Sequence, residues 1–411
     1  MSQIPNRTSK TRIAYVNHTG LISGAEKVLM SILHGVDRTC SEPILVCPPD
    51  GCLAEVAESE EIPWIPIRPI RARFSWSPKR LCTSLVNLCK GVLDLRKALQ
   101  TISPDLIHAN SVRAGITASL ATLGSGQIVI WHVHDSLPRH PVSTLIRLFA
   151  YLDRRTRVIA VSHATARRFC GYFSIKGRVR TIYNGINLSR FPGKQRGPSR
   201  FRETLNVAND DFLVCAIGQI CARKGLLELI EAFRQIHVTI SRMHLAIVGS
   251  VVFQHEEKYR DKIYAAAGVP ELNGFVHFVG EMKDVYPALE ASDLLVLNSR
   301  EEPFGLVLVE AMSSGTPVLA TRVGGVPEIV EDGKNGWLVE SGDTRALAAK
   351  LIELSGDCAG LERAAHYAQT VTCPQFSMER FQGSLRGLYG ELAPKSDQKW
   401  NPATNRHVLS A

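Results

Sequence analysis

The chain has 411 residues, 45% hydrophobic and 21% charged, with a formal net charge of +9. That length and balance predict two packed domains and exclude a disordered or fibrous chain. No run of 18 or more uncharged apolar residues occurs, and the N-terminal MSQIPNRTSKTR has no apolar stretch, which sets the expectation of a cytoplasmic protein without a spanning helix.

In chain order, RIAYVNH, EPILVCP, PDLIHAN, QIVIWHVH and RVIAVS read as strands, separated by the helical patterns GAEKVLMSILHGV, SLVNLCKGVLDLRKALQTI and RAGITASLATL. Strands alternating with helices of ten or more residues predict βαβ units and a parallel sheet covered on both faces. The segment NGINLSRFPGKQRGPSRFRETLNV is rich in Gly, Pro and basic residues and reads as a linker, with the domain boundary at about residues 185–205. A second series follows: DFLVCAIGQ, MHLAIVGS, FVHFVGE, DLLVLNS and TPVLAT as strands, LLELIEAFRQI and GLVLVEAMSS as helices. The expected fold is α/β, two tandem Rossmann-like doubly wound domains: residues 1–190, residues 205–376, a helix over 377–392 and a disordered tail over 393–411.

Charge is uneven along the chain. Residues 1–200 carry 28 Lys/Arg against 12 Asp/Glu, and residues 201–411 carry 20 against 27. The first half is therefore expected to face an anion, a phospholipid surface or a nucleic acid, and the lack of an aromatic-and-basic recognition motif argues against nucleic acid. Ten cysteines with no C-x-x-C pair read as reduced core thiols and not as a zinc site.

In open α/β sheets ligands bind beyond the carboxyl ends of strands, so the stretch SREEPFGLVLVEAMSSG after DLLVLNS carries the most weight. Pro303 and Gly305 permit a sharp turn, and a helix starting there leaves its first amides unpaired as an anion site. Glu310 lies one turn beyond Leu306 on the same face, inside an apolar run that suggests burial. A buried carboxylate needs hydrogen-bond donors: the hydroxyls of a nucleotide ribose, or a Lys or Arg of its own domain, and spacing alone leaves both open.

WHVHDS ends a strand with His132 and His134 on one face, a pairing suited to a metal, but no third ligand stands at a helpful spacing and no Asp-x-Asp occurs; no metal is expected. SGAEKVL places Gly24 in a loop before a helix, where backbone amides can approach a ligand, although such a glycine is more often structural.

EEPFGLVLVE has the E-x7-E form, Glu302 to Glu310, and with the following EAMSSGTPVLATRVGGVPEIVEDGKNGWLV it resembles the signature of glycosyltransferase family 4, whose members have the GT-B architecture. AIGQICARKGLLELIEAF resembles the same family's loop with a basic pair for the donor diphosphate; Lys224 stands at the lysine position, and Gln219 stands where the family usually has arginine. Glutamine donates a hydrogen bond without charge, so either Arg223 substitutes for it or phosphate binding is weaker.

The resemblance implies a retaining, metal-independent glycosyltransferase that moves a sugar from a nucleotide diphosphate sugar to an acceptor hydroxyl in an interdomain cleft. It assigns Glu302 and His134 to catalysis, Lys224, Arg223, Gln219, Gly305 and Leu306 to the donor diphosphate, Glu310 to the ribose, Phe304 to the donor sugar and Gly24 to the cleft loop. It also implies that the terminal helix in FSMERFQGSLRGLYGEL crosses back to the first domain. STLIRLFAYLDRRTR and RPIRARFSWSPKR mix apolar and basic residues, as a protein resting on anionic lipid headgroups would, and a lipid-linked saccharide at the inner membrane face is the expected acceptor. The alternative is that Leu145, Leu148, Phe149 and Leu152 pack onto their own domain. Two other functions compete: a nucleotide-sugar-binding protein without transferase activity, motivated by Gln219, and a sugar-nucleotide epimerase on the same architecture.

Overall fold

The computed structural model of the protein describes residues 10–70, 78–138, 140–171, 175, 177–194, 199–237, 239–240, 242–252 and 256–393, without side chains for residues 78–81. The chain divides into two units, Met1–Tyr183 with Phe381–Ala411, and Asn184–Arg380.

The first unit is a seven-stranded parallel sheet of β1 (Thr11–Val16), β2 (Ser41–Cys47), β3 (Trp64–Pro66), β4 (Leu106–Ala109), β5 (Val129–Val133), β6 (Thr156–Ala160) and β7 (Val179–Thr181), in the order β3-β2-β1-β4-β5-β6-β7. Its crossovers run through α1 (Gly24–Gly35), α2 (Cys52–Ser59), α3 (Pro78–Ile102), α4 (Val112–Ala121), α5 (Pro141–Leu152) and α6 (His163–Cys170). The strands are apolar on both faces because helices cover both, and Ile13, Ile44, Ile107, Ile130 and Ile159 are fully buried. Trp131 on β5 fixes the depth of α4: its indole donates to Ser119 Oγ at 3.2 Å. A Cβ on Gly115 would stand 2.5 Å from the indole ring, so only glycine lets this helix approach.

The second unit holds α7 (Arg200–Leu205), β8 (Phe212–Ile217), α8 (Leu226–His237), β9 (Met243–Val248), α9 (Glu257–Ala267), β10 (Val276–Gly280), α10 (Tyr286–Ala291), β11 (Leu294–Leu297), α11 (Leu306–Ser313), β12 (Val318–Thr321), β13 (Trp337–Val339), α12 (Thr344–Ser355) and α13 (Cys358–Tyr367). Its sheet is parallel in the order β10-β9-β8-β11-β12-β13. The strand order of each sheet reverses direction once, at β1/β4 and at β8/β11, and these are the places where an open α/β sheet opens a crevice.

The last helix, α14 (Met378–Leu392), belongs from Phe381 onward to the first unit. There Gln382 Nε2 donates to Ser31 O at 2.7 Å, Tyr389 lies 2.8 Å from His108 Nδ1, and Arg180 grips Glu391 through two hydrogen bonds of 2.9 and 2.5 Å.

Three expectations need correction. The stretch expected as a linker is, in its described residues 185–194 and 199–205, anchored in the second unit: Lys194 Nζ donates to Ser292 O at 2.7 Å, Tyr286 donates to Gly193 O, and the buried Arg202 donates to Ala291 O and pairs with Asp293. The cysteines are not all core thiols, since Cys40, Cys52, Cys82, Cys89 and Cys358 are exposed. In STLIRLFAYLDRRTR, Arg147 is buried and satisfies Phe169 O, Leu137 O and Arg168 O, and Arg155 pairs with Asp153 at 2.9 Å, so much of the basic cluster is structural. Leu145 and Leu152 are nonetheless exposed, at 64% each, while Leu148 and Phe149 are half-buried. Most of RPIRARFSWSPKR and the tail beyond residue 393 lie outside the described residues.

Candidate active site

In the second unit the strand-to-helix loops at β8 and β11 are locked to one another. Gly218, at the end of β8, has φ +149°, and a Cβ on Gly249 would lie 1.9 Å from its carbonyl, so the chain after β8 runs backbone against backbone. The turn Ala222–Lys224 ends in Gly225, whose φ of +60° places it where a Cβ would stand 2.1 Å from Asn298 O. Asn298 Nδ2 donates to Gly225 O at 2.8 Å, and Arg300 N donates to Arg223 O at 2.8 Å. The basic turn is thus held by the loop that carries the acidic pair.

Lys224 Nζ and Glu302 Oε2 are 2.6 Å apart, with side chains 15% and 10% exposed. The residue expected at the diphosphate and the one expected at the sugar thus neutralise each other. Ser299 Oγ adds a weak contact to the same carboxylate oxygen at 3.4 Å. The backbone of Glu302 is clamped from the far side: its carbonyl accepts from Gly325 N at 2.9 Å, and a Cβ on Gly324 would stand 2.0 Å from that oxygen.

Helix α11 starts after Gly305, which has φ +104° and provides no side-chain cap; Leu308 N donates back to Gly305 O at 3.0 Å, which leaves the amides of Leu306 and Val307 for an anion. Of its eight residues only Leu306, Val307 and Glu310 are partly open; the other five are buried. Glu310 therefore does not sit in an apolar core, as its flanks suggested. It shares the helix's one accessible stripe, because i, i+3 and i+4 positions align.

Gln219 and Lys224 line a small pocket with Gly218, Leu226, Val296 and Asn298 at the β8/β11 reversal. The guanidinium of Arg223 makes no hydrogen bond or ion pair among the described residues, and the residue is half-buried. Phe304 is 3% exposed, its ring set edge-on against Phe376 at 5.7 Å, so the ring supports the loop from beneath and is not presented to a ligand.

In the first unit Gly24 opens α1 in open space: a Cβ there would meet nothing within 4 Å, and its φ is not positive. Neither strain nor crowding demands glycine there. Ser23 caps the helix with Glu26, whose Oε2 accepts from Ser23 N at 3.0 Å and from Ser23 Oγ at 2.5 Å. The spacing S-x-x-E could have shown this capping box in the sequence.

His134 is half-buried just past β5, and its Nε2 lies 3.0 Å from Asn110 Oδ1. Beside it His132 and His108 are sealed, 3.2 Å apart from Nδ1 to Nε2, and Tyr389 closes the row. Burial pushes His134 and His108 down to about 3 and His132 well below its ordinary value, so all three are neutral. His132 Nε2 has no hydrogen-bond partner among the described residues. Among the described residues no group of three His, Cys, Asp or Glu side chains is placed to hold a metal ion. The polar partners Asn17, Asn110 and Tyr389 were not singled out from the sequence, where nothing in their spacing distinguishes them.

Residues 22–190 match the family described as Glycosyltransferase Family 4, and residues 199–371 match Glycosyl transferases group 1. The N-acetyl-alpha-D-glucosaminyl L-malate synthase of Bacillus anthracis is 26% identical over 59% of this chain, which spans 61% of that relative's length. The UDP-Gal:alpha-D-GlcNAc-diphosphoundecaprenol alpha-1,3-galactosyltransferase of Escherichia coli is 24% identical over 85% of this chain and 89% of its own. The crystal structure of Anabaena HepE in complex with UDP-glucose has a TM-score of 0.79 and 26% identity, covering 92% of this chain and 99% of that one. With two Rossmann-like parallel sheets of the GT-B type, the chain belongs to the glycosyltransferases of these two families.

Proposed function

We propose that the protein transfers a sugar from a nucleoside diphosphate sugar to an acceptor hydroxyl, with retention at the anomeric carbon and without a metal ion. The observation that carries this reading is the Lys224–Glu302 pair at the β8/β11 reversal, beside a helix that begins without a side-chain cap. Breaking the glycosidic bond puts negative charge on the leaving diphosphate and positive charge on the sugar, and the protein must meet both. Lys224 exchanges its carboxylate partner for phosphate oxygens, supported by Arg223 and the amides at Gly305 and Leu306. Glu302, so released, accepts from the sugar hydroxyls and faces the developing oxocarbenium character. Glu310, on the accessible stripe of α11, accepts from the ribose hydroxyls, and Gln219 adds a neutral hydrogen bond where a second cation would otherwise stand. In the first unit, His134 and the loop at Gly24 are assigned to ligand binding.

For the acceptor we favour a lipid-linked saccharide, in polysaccharide or lipopolysaccharide assembly. Two facts support it: the diphosphoundecaprenol in the name of the Escherichia coli relative, and the exposed Leu145, Tyr151 and Leu152 of α5, which suit a peripheral membrane contact. No helix among the described residues is long and apolar enough to cross a membrane. The absence of a charge at Gln219 favours a second reading, a nucleotide-sugar-binding protein without transfer. Incubation with UDP-, GDP- and ADP-sugars in EDTA separates the two. Slow, Glu302-dependent donor hydrolysis supports the transferase, and donor binding with neither transfer nor hydrolysis supports the binding protein.

A further inference from the structure

A chain of amides crosses the β1/β4 reversal of the first sheet, and its polarity can be read from its fixed ends. Asn17, just past β1, donates through Nδ2 to Thr19 O at 2.7 Å and to Glu26 Oε1 at 3.2 Å. The Thr19 carbonyl can only accept, so the Asn17 Oδ1 must face the other way. There it accepts from Asn110 Nδ2 at 3.2 Å, and the same Nδ2 donates to Ala25 O at 3.2 Å. Flipping either amide would set oxygen against oxygen and leave buried groups unpaired, since Asn17 and Asn110 are both 0% exposed. Asn110 Oδ1 is therefore the atom that meets His134 Nε2 at 3.0 Å. An amide oxygen cannot donate, so the imidazole nitrogen carries the proton.

We propose that Asn110 is a positioning residue whose amide oxygen holds His134 as its Nε2–H tautomer, leaving Nδ1 as a lone-pair acceptor for a sugar hydroxyl. The sugar half of this statement rests on the transferase reading above. The tautomer half does not. His134 is held neutral by burial, so one nitrogen donates and the other accepts, and Nδ1 makes no hydrogen bond among the described residues. The same chain ends on Ser23 and Glu26 at the start of α1, so the histidine and the Gly24 loop are oriented by one set of bonds.

Long-range proton–nitrogen correlation spectra of the 15N-histidine-labelled full chain test it, with His134 assigned by its loss in His134→Gln. The wild type is expected to show a single His134 tautomer, Nε2 protonated and Nδ1 bare, and Asn110→Ala to lose that single state and show both. UDP-glucose is the probe for the acceptor role and should shift the Nδ1 resonance where it binds. A proton on Nδ1 in the wild type overturns the proposal, a reading that stands even if Asn110→Ala fails to fold. A folded Asn110→Ala with the wild-type tautomer overturns it too, as does bound UDP-glucose that leaves Nδ1 unmoved. A protein that consumes nucleotide sugar with the proton on Nδ1 refutes Asn110 while sparing the transferase. A protein with the stated tautomer that consumes none refutes the transferase and the sugar role while sparing Asn110's hold on His134.

Discussion

Replacing Glu302 by Gln keeps the shape of the side chain that faces Lys224 and removes its charge. The pair is 2.6 Å long and its members are 15% and 10% exposed, so the ammonium left behind is largely cut off from water. Removing one partner of such a pair costs about 3 kcal/mol or more, because the remaining charge is uncompensated. For a unit the size of Asn184–Arg380, 1 kcal/mol moves the melting temperature by about 2–4 °C, so Glu302→Gln should lower that unit's transition by roughly 6–12 °C. A nucleoside diphosphate supplies the missing negative charge. UDP should therefore stabilise the variant more than it stabilises the wild type, which by mass action means that the variant binds UDP more tightly, since Glu302 is assigned to the sugar and not to the nucleotide and no longer holds Lys224. The double variant Lys224→Met/Glu302→Gln should recover much of the lost stability, since no unpaired charge remains, and lose UDP binding. Scanning calorimetry and titration calorimetry read both quantities. A Glu302→Gln protein that melts within 2 °C of the wild type and binds UDP about tenfold more weakly would refute both the pair and the role division.

Other outcomes follow from the same geometry. Glu310→Gln should weaken binding of the free nucleotide about tenfold or more whatever sugar is attached, measured by titration calorimetry, because a carboxylate accepts from two ribose hydroxyls more strongly than an amide does. Gly24→Ala should leave the melting temperature unchanged or raise it slightly, since its Cβ meets nothing and its φ suits alanine, while donor turnover falls; a folding defect would show that the glycine is structural. Tyr389→Phe removes the 2.8 Å bond to the buried His108 and should cost about 1–3 kcal/mol in denaturant unfolding of the first unit. The histidines His108 and His134, held down at about 3 in the fold against 6.5 when unfolded, make folding weaken in acid. Their contribution is whole above pH 6.5 and is lost as the pH falls from there toward 3, because the unfolded chain takes up protons that the fold refuses. The denaturation midpoint should fall between pH 6.5 and pH 4.5 and stay level from pH 7 to pH 8.

The five long apolar runs of each half announced their strands, since a strand covered on both faces is predominantly apolar. The three-residue strands Trp64–Pro66, Val179–Thr181 and Trp337–Val339 gave no such run and were missed. Segment 185–205 read as a linker because its anchors are cations: Lys194 and Arg202 are held by carbonyls about ninety residues away, and no local pattern records that. Glu302, Glu310 and Lys224 were legible because their loops lie in one continuous motif each, but their mutual pairing was not, since it depends on how Gly225 and Asn298 lock two loops together. Glu310 was read as buried from its neighbours in sequence; helix geometry sorts those neighbours onto the other face. The arginines of STLIRLFAYLDRRTR looked like a membrane patch because charge is visible in a sequence while the carbonyls that absorb Arg147 are not.

The central claim is that a nucleoside diphosphate binds at Lys224 and the start of α11 with its ribose on Glu310. Thermal shift with free UDP, GDP and ADP tests it without knowledge of the sugar or the acceptor. The account predicts that at least one of the three raises the melting temperature of the wild type and raises it clearly less, or not at all, for Lys224→Met and for Glu310→Gln. No shift from any of them, or an equal shift in all three proteins, would contradict it.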